Sequence, residues 1–285
     1  MEILVAVIGD LLFKVNKDYD WLQSSKYLEF KWEISISIVS KRQLKKLLEK
    51  CRVHKVKNEI EYVYNETVYY VINYRRKIIT VYAENKLEFI SSFFNYPLSI
   101  MSILEGKILL HCSAVTKQDE LKLFVGPSGI GKTTLANALA DFGYEFFSDD
   151  NVFCHNVDGK IVFNNTNPFV KSFDAPEYIG VNKCGKKISK QQIINPYYNG
   201  ALVRIYFLKR GNSYTFEVQK KKVDFINIYN EICGIEEIPF SIKKKVPISL
   251  IKMIIETSEV YDLMIPDDLV QFKNSKKDLC RVLEH

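Results

Sequence analysis

Strict alternation of apolar and polar positions along Trp32-Glu33-Ile34-Ser35-Ile36-Ser37-Ile38-Val39 predicts a half-buried strand, with a helix expected over 41–50. Ile60 to Tyr64, Val68 to Tyr74 and Lys77 to Tyr82 are rich in Val, Ile and Tyr. Turn signals separate them at Asn65-Glu66 and Tyr74-Arg75-Arg76, so a meander of about three strands is expected. Apolar residues then recur at helical spacing through Glu88 to Glu105, and Pro97 divides that stretch into two short helices.

From Lys107 the pattern changes to an alternation of strands and helices. Lys107 to Ala114 and Leu121 to Val125 read as two apolar strands around the polar turn Lys117-Gln118-Asp119-Glu120. A glycine loop, a helix over 132–142 and a strand over 145–148 follow. Further strands are expected at 160–164, 201–209, 213–218 and 260–265, and a helix at 247–257. The stretch 164–200, rich in Asn, Pro, Lys and Gly, reads as a loop-dominated segment with functional mobility. Residues 1–104 thus form a β-rich portion that packs on or joins the core. The final Leu283-Glu284-His285 reads as the remnant of a histidine tag and is left out of the fold.

Composition narrows the class. With 285 residues, 47% of them hydrophobic, the chain can bury a full core without disulfides or metals. The six cysteines are too far apart in sequence for a zinc knuckle or a thioredoxin-type motif, and they read as reduced, mostly buried thiols. No apolar run is long enough to span a bilayer, so the expected location is the cytoplasm, with no membrane partner. The net charge of +6 fits a solvated lysine-rich surface. Lys220 to Lys222 and Lys243 to Lys245 lack the aromatic interleaving of a nucleic-acid binder, so no nucleic-acid partner is expected. An acidic peptide remains a partner for these clusters to attract.

The sharpest signal is Gly126-Pro127-Ser128-Gly129-Ile130-Gly131-Lys132-Thr133, which fits G-x-x-x-x-G-K-[ST] directly after an apolar strand and before a helix, with Thr134 next in line. Glycines let successive backbone N–H groups turn inward onto phosphates, and the helix aims its positive end at the same anion. Lys132 then neutralises β and γ phosphates, and the Thr133 hydroxyl supplies a magnesium ligand. ATP and magnesium are the cofactors this implies. A guanine-reading motif is not found, since Asn182-Lys183-Cys184-Gly185 lacks the needed aspartate. Asp149 and Asp150 end the strand after the helix, where one carboxylate can hold magnesium and another can take a proton. Taken alone, such a pair is as well explained as a turn cap. His111, in the strand before the loop, would by itself be an ordinary core histidine.

Together these residues resemble the catalytic domain of HPr kinase/phosphorylase. That family has a strand histidine, a hairpin, the loop G-x-S-G-x-G-K-[ST], a helix ending in glycine, and a strand ending in Asp-Asp. Here the order is His111, the hairpin through Asp119-Glu120, Gly126 to Thr133, Gly143, and Ser148-Asp149-Asp150, with fifteen residues from His111 to Gly126 and twenty-three from Gly126 to Asp149. The resemblance covers Leu110 to Phe153. It implies an α/β fold of the phosphoenolpyruvate-carboxykinase-like type with a mixed sheet over 105–282. It also implies an aspartate of the pair as general base, the other supporting magnesium, and His111 lining the centre.

The family's later glutamate-arginine signature is not found in 164–180, where Glu177 is the nearest magnesium-ligand candidate. The distal arginine is not placed, so the sequence does not support an expectation of reverse phosphorolysis and leaves that reaction open. Lys171 is a candidate contact to substrate or γ phosphate, though a solvated lysine explains it more simply. The expectation is an ATP-dependent kinase of a serine on a peptide or small protein, similar to stand-alone kinases of precursor peptides. A small-molecule kinase and a non-catalytic nucleotide-dependent module are the alternatives, and a homo-oligomer is left open.

Overall fold

The computed structural model describes residues 3–8, 11–16, 32–49, 53–64, 66–93, 95–165, 169–172, 177–178, 180–181, 185–190, 197–211, 215–267 and 276–284. Its first half is β1 (Ile3–Ile8), β2 (Leu11–Asn16), β3 (Trp32–Ile38), α1 (Lys41–Leu48), β4 (Val53–Val56), β5 (Glu59–Tyr64), β6 (Val68–Asn73) and β7 (Ile78–Ala83). The strands make one sheet in the order β1-β2-β3-β7-β6-β5-β4. The alternation read in β3 is realised, with Trp32, Ile34 and Ile36 buried and Glu33 exposed. A capping box starts α1, the Ser40 hydroxyl accepting from the Gln43 N–H while the Gln43 side chain returns to the Ser40 backbone. The expected meander has one strand more than the sequence indicated, because β4, exposed at every position, carries no burial signal.

Two helices, α2 (Lys86–Phe93) and α3 (Tyr96–Leu104), lead to the second half. Pro97 lies in the first turn of α3, where its missing N–H is not required. Every residue of α3 from Tyr96 to Ile103 is buried, so this helix joins the two halves. The resulting core is continuous from Trp32 through Phe89 and Ile100 to Leu123 and Ile251.

The second half contains β8 (Ile108–Leu110), β9 (Cys112–Lys117), β10 (Glu120–Val125), α4 (Lys132–Ala140), β11 (Glu145–Ser148), β12 (Val152–Val157), β13 (Lys160–Asn165), β14 (Phe169–Ser172), β15 (Gly180–Val181), β16 (Lys187–Lys190), β17 (Tyr197–Tyr198), β18 (Leu202–Gly211), β19 (Glu217–Lys220), α5 (Phe225–Asn230), α6 (Phe240–Lys243), α7 (Ile248–Thr257), β20 (Ser258–Pro266) and α8 (Lys276–Glu284). The central sheet, β11-β9-β10-β18-β20-β19, is mixed: β10, β18 and β20 are parallel, while β9 and β19 run against their neighbours. A four-stranded antiparallel sheet, β17-β13-β12-β8, lies beside it. The expected mixed α/β architecture is present.

Three differences from the sequence reading have physical causes. The strand expected over 107–114 is two strands in two sheets, broken at His111, since hydrophobic period does not reveal a change of partner. A hairpin of β12 and β13 turns at Asp158-Gly159, both with positive φ, the turn chemistry that favours this pair of residues. In the stretch expected to be loop-dominated, the described residues include a small antiparallel sheet, β14-β16-β15, and the rest lies outside the described residues.

Leu283 and Glu284, set aside above as a tag remnant, form the last turn of α8. Leu283 is buried, and its carbonyl accepts from Lys122 Nζ at 2.9 Å. Lys122 points its ammonium into that core and pairs with Glu120 at 2.5 Å. Of the cysteines, Cys112, Cys154, Cys233 and Cys280 are buried and in no disulfide, as expected, and Cys51 and Cys184 lie outside the described residues. Among the described residues no helix is long and apolar enough to cross a membrane.

Lys107, ahead of β8, is buried with Nζ 5.4 Å from the centre of the Phe153 ring. Burial lowers its pKa from 10.5 to about 8. Between those values the unfolded chain binds the proton that the folded chain has released, so this lysine makes folding more favourable as pH rises from 8 toward 10.5. Urea unfolding followed across that interval is expected to show this rise, and Lys107→Met is expected to flatten it.

Candidate functional site

The glycine loop leaves the C-terminal end of β10, where Val125 pairs with Cys112 at the start of β9. Glycine is demanded at its first position. Gly126 has φ of 141°, and a Cβ there would approach the Leu208 carbonyl of β18 to 3.3 Å. Gly131, at φ 117°, is the N-cap of α4, and the free N–H groups of the first helical turn therefore begin at the end of the loop. Pro127, Ser128 and Gly129 are exposed, and Ile130 is half-buried. Thr134 belongs to α4 and is exposed.

Lys132 is the first residue of α4 and is buried. Its Nζ donates to the carbonyls of Gly126, at 2.7 Å, and Pro127, at 3.2 Å. Burial lowers its pKa. The charges of Asp150, Glu231 and Asp149 act in the opposite direction. Next to it, Thr133 Oγ1 donates to Asp149 Oδ1 at 2.6 Å, and Ser113 Oγ on β9 donates to the same oxygen at 3.0 Å. Asp149 is only 1% exposed. The start of α4 is thereby tied to the end of β11.

Asp150 turns the chain sharply. Its φ of 66° is left-handed, a conformation that aspartate tolerates better than most side chains. Its carbonyl accepts from Cys112 N at 3.1 Å, and its carboxylate lies close enough to Lys132 to be the leading charge acting on it. Both predicted aspartates and the predicted lysine therefore meet at one edge of the central sheet, but in unlike settings. Asp149 is locked between hydroxyls, and Asp150 is partly open.

His111 is half-buried, and its backbone N–H donates to the Glu231 carbonyl at 2.7 Å. This contact brings in the turn after α5, which the sequence reading missed. Cys233 N donates to the Leu109 carbonyl at 2.8 Å, and Ile232 bridges Leu110. The turn so fixed stands across from the glycine loop. A cavity of about 410 Å³ lies between them, walled by Gly126 to Ser128, His111, and residues 230–237 except Cys233. Burial raises the Glu231 carboxyl, while Lys132 and the N–H of Gly126 work to keep it ionised. Nothing local in Asn230-Glu231-Ile232 announces this position, since it depends on a contact more than a hundred residues away in the chain.

Other candidates lie elsewhere. Lys171 is in β14, opposite Ile188 of β16, and Glu177 is exposed. The lysine clusters are partly engaged: Lys221 pairs with Asp262 at 3.4 Å, and Lys243 Nζ donates to the Glu236 carbonyl at 2.8 Å. Among the described residues no group of three or more His, Cys, Asp or Glu side chains converges to hold a metal. The hydroxyl of Thr133 and the carboxylate of Asp149, joined at 2.6 Å beside the loop, are oxygen donors that suit a small hard cation whose other ligands come from substrate and water.

The backbone at Asp150 yields a test independent of function. Asp150→Gly is expected to keep or slightly raise stability, while Asp150→Ala loses about 1 kcal/mol, because alanine resists the left-handed conformation. Urea denaturation of the two variants measures the difference.

No protein-family model matches the chain. No curated protein matches it by sequence. Among solved structures the chain is similar to the Hpr(Ser) kinase/phosphatase from Coxiella burnetii, with 11% identity over 61% of this chain and 94% of that one, at a TM-score of 0.32. The resemblance is weak.

Proposed function

We propose that the protein is an ATP- and magnesium-dependent phosphotransferase acting on a hydroxyl group, with a serine of a peptide or small protein as acceptor. The observation that carries this reading is the Thr133 to Asp149 hydrogen bond of 2.6 Å beside Lys132 and Asp150. It joins a G-x-x-x-x-G-K-[ST] loop to a carboxylate pair, the combination that phosphoryl transfer uses.

The parts divide as follows. Backbone N–H groups of the loop and of the first turn of α4 receive the phosphates. Lys132 exchanges its two loop carbonyls for phosphate oxygens and offsets their charge. Thr133 and Asp149 would hold magnesium, which would offset the charge that develops on the phosphate oxygens. The acceptor oxygen forms a bond to the γ phosphorus as the bond from that phosphorus to the bridging oxygen breaks, and the electron pair leaves with ADP. The hydroxyl proton passes to Asp150, since Asp149 already accepts two hydrogen bonds on one oxygen.

Two substitutions separate binding from transfer. Asp150→Asn, which retains tolerance for the left-handed backbone, is expected to bind ATP as the parent does and to transfer phosphate about 10²–10⁴-fold more slowly. Asp149→Asn is expected to weaken ATP binding in magnesium more than in its absence. Calorimetry with ATP and transfer from labelled ATP read the two effects. A doubly substituted protein that still transfers phosphate at the parent rate ends this assignment.

A further inference from the structure

The wall of the cavity beside the glycine loop runs against the charge of the rest of the chain. The protein carries a net charge of +6, yet residues 230–237 present Glu231, Glu236 and Glu237 to the cavity, and no lysine or arginine lines it. Among the described residues none of the three carboxylates is in an ion pair of 4.0 Å or less. The nearby Lys243 spends its ammonium on the Glu236 backbone carbonyl, not on the side chain. Glu236 and Glu237 are exposed.

The turn is rigid as well as acidic. Besides the contacts to Leu109, Leu110 and His111, Gly234 takes a positive φ of 64°, and Glu237 N donates to its carbonyl at 3.0 Å. Tyr62 and Tyr96 stack at 3.8 Å between ring centres, and both reach Glu237: Tyr62 through the carboxylate at 3.3 Å, Tyr96 through the backbone carbonyl at 3.4 Å. A pocket with one wall made by the loop itself is thus lined on the other by fixed negative charge. A polyanionic nucleotide on the loop competes with Glu231 for the charge of Lys132 and makes that wall repulsive to anions, which a cation entering beside Glu236 and Glu237 offsets.

We propose that this cavity is the acceptor pocket, and that it takes a hydroxyl compound carrying a positive charge, recognised by Glu231, Glu236 and Glu237. The inference rests on the phosphotransferase reading and names its substrate class. The shared chemistry is an alcohol with an ammonium or guanidinium group within a few bonds or residues of it. Two sources offer it, a free amino alcohol and a serine flanked by basic side chains in a peptide. The transfer is the one described above, with the cation bound but not altered.

The test uses the full chain and five acceptors with labelled ATP and magnesium: serine peptides flanked by arginine, by glutamine or by glutamate, free ethanolamine, and glycerol. The arginine-flanked peptide or ethanolamine is expected to exceed its uncharged counterpart by about tenfold or more in kcat/KM. Which of the two does so identifies the source. In Glu236→Gln/Glu237→Gln that preference is expected to collapse to within about twofold. Nucleotide affinity measured on the same samples guards against misfolding. Equal transfer to glutamine- and glutamate-flanked peptides as to the basic one overturns the inference, and so does an unchanged preference in the double variant. A raised magnesium requirement with preference intact assigns the carboxylates to metal and also overturns it.

Direct binding of the arginine-flanked peptide and of ethanolamine, with ADP and magnesium present, separates this inference from the reading beneath it. Binding to the parent and about tenfold weaker binding to the double variant, without transfer to any acceptor, leaves the cation pocket standing and removes the kinase. Transfer without any such binding difference does the reverse.

Discussion

The candidate site depends on where β9 sits. It lies between β10 and β11 and runs against both, so those two strands point the same way without touching. The glycine loop leaving one and the aspartates ending the other arrive at a single edge of the sheet. Ser113, on the intervening strand, then lies within reach of Asp149, and the hydroxyl of Thr133 closes the gap from the helix side. A different partner for β9 would scatter these groups, however well each was specified locally.

The break at His111 has a comparable effect. Within three residues the chain leaves the four-stranded sheet and enters the central one, and its backbone there accepts partners from both sides. Cys112 N bonds the Asp150 carbonyl, His111 N bonds the Glu231 carbonyl, and Leu110 bridges Ile232. Segments far apart in sequence are thereby drawn around Lys132. The lowering of its pKa by burial is opposed by three carboxylates that reach it by two routes, Asp149 and Asp150 from the end of β11 and Glu231 from the turn after α5.

How much of this was legible in the sequence follows from range. The loop, Lys132, Thr133 and the aspartate pair could be read because their spacing is set by one strand-loop-helix-strand unit. The strands β3 and β7 could be read because one face of each is buried, and β6 because its run of Val, Ile and Tyr is mostly buried. Glu231 could not be read, because its place comes from pairing across the whole domain. Helices of six and four residues, α5 and α6, are too short to show a helical period. The β12–β13 hairpin had a usable signal in Asp158-Gly159 that the sequence reading passed over. Leu283, left out of the fold in the sequence reading, is buried in the last turn of α8, a packing that the terminal residues do not announce.

The hold of Lys132 on its own loop has a thermodynamic consequence. Both of its hydrogen bonds end on carbonyls of the segment that would wrap a nucleotide, so its buried charge finds partners within the loop itself. On the proposed function, nucleotide arrival is a swap of partners and not a gain of new ones at this side chain. The lysine's net contribution to affinity is then smaller than its charge alone implies, and a larger share falls to the backbone amides.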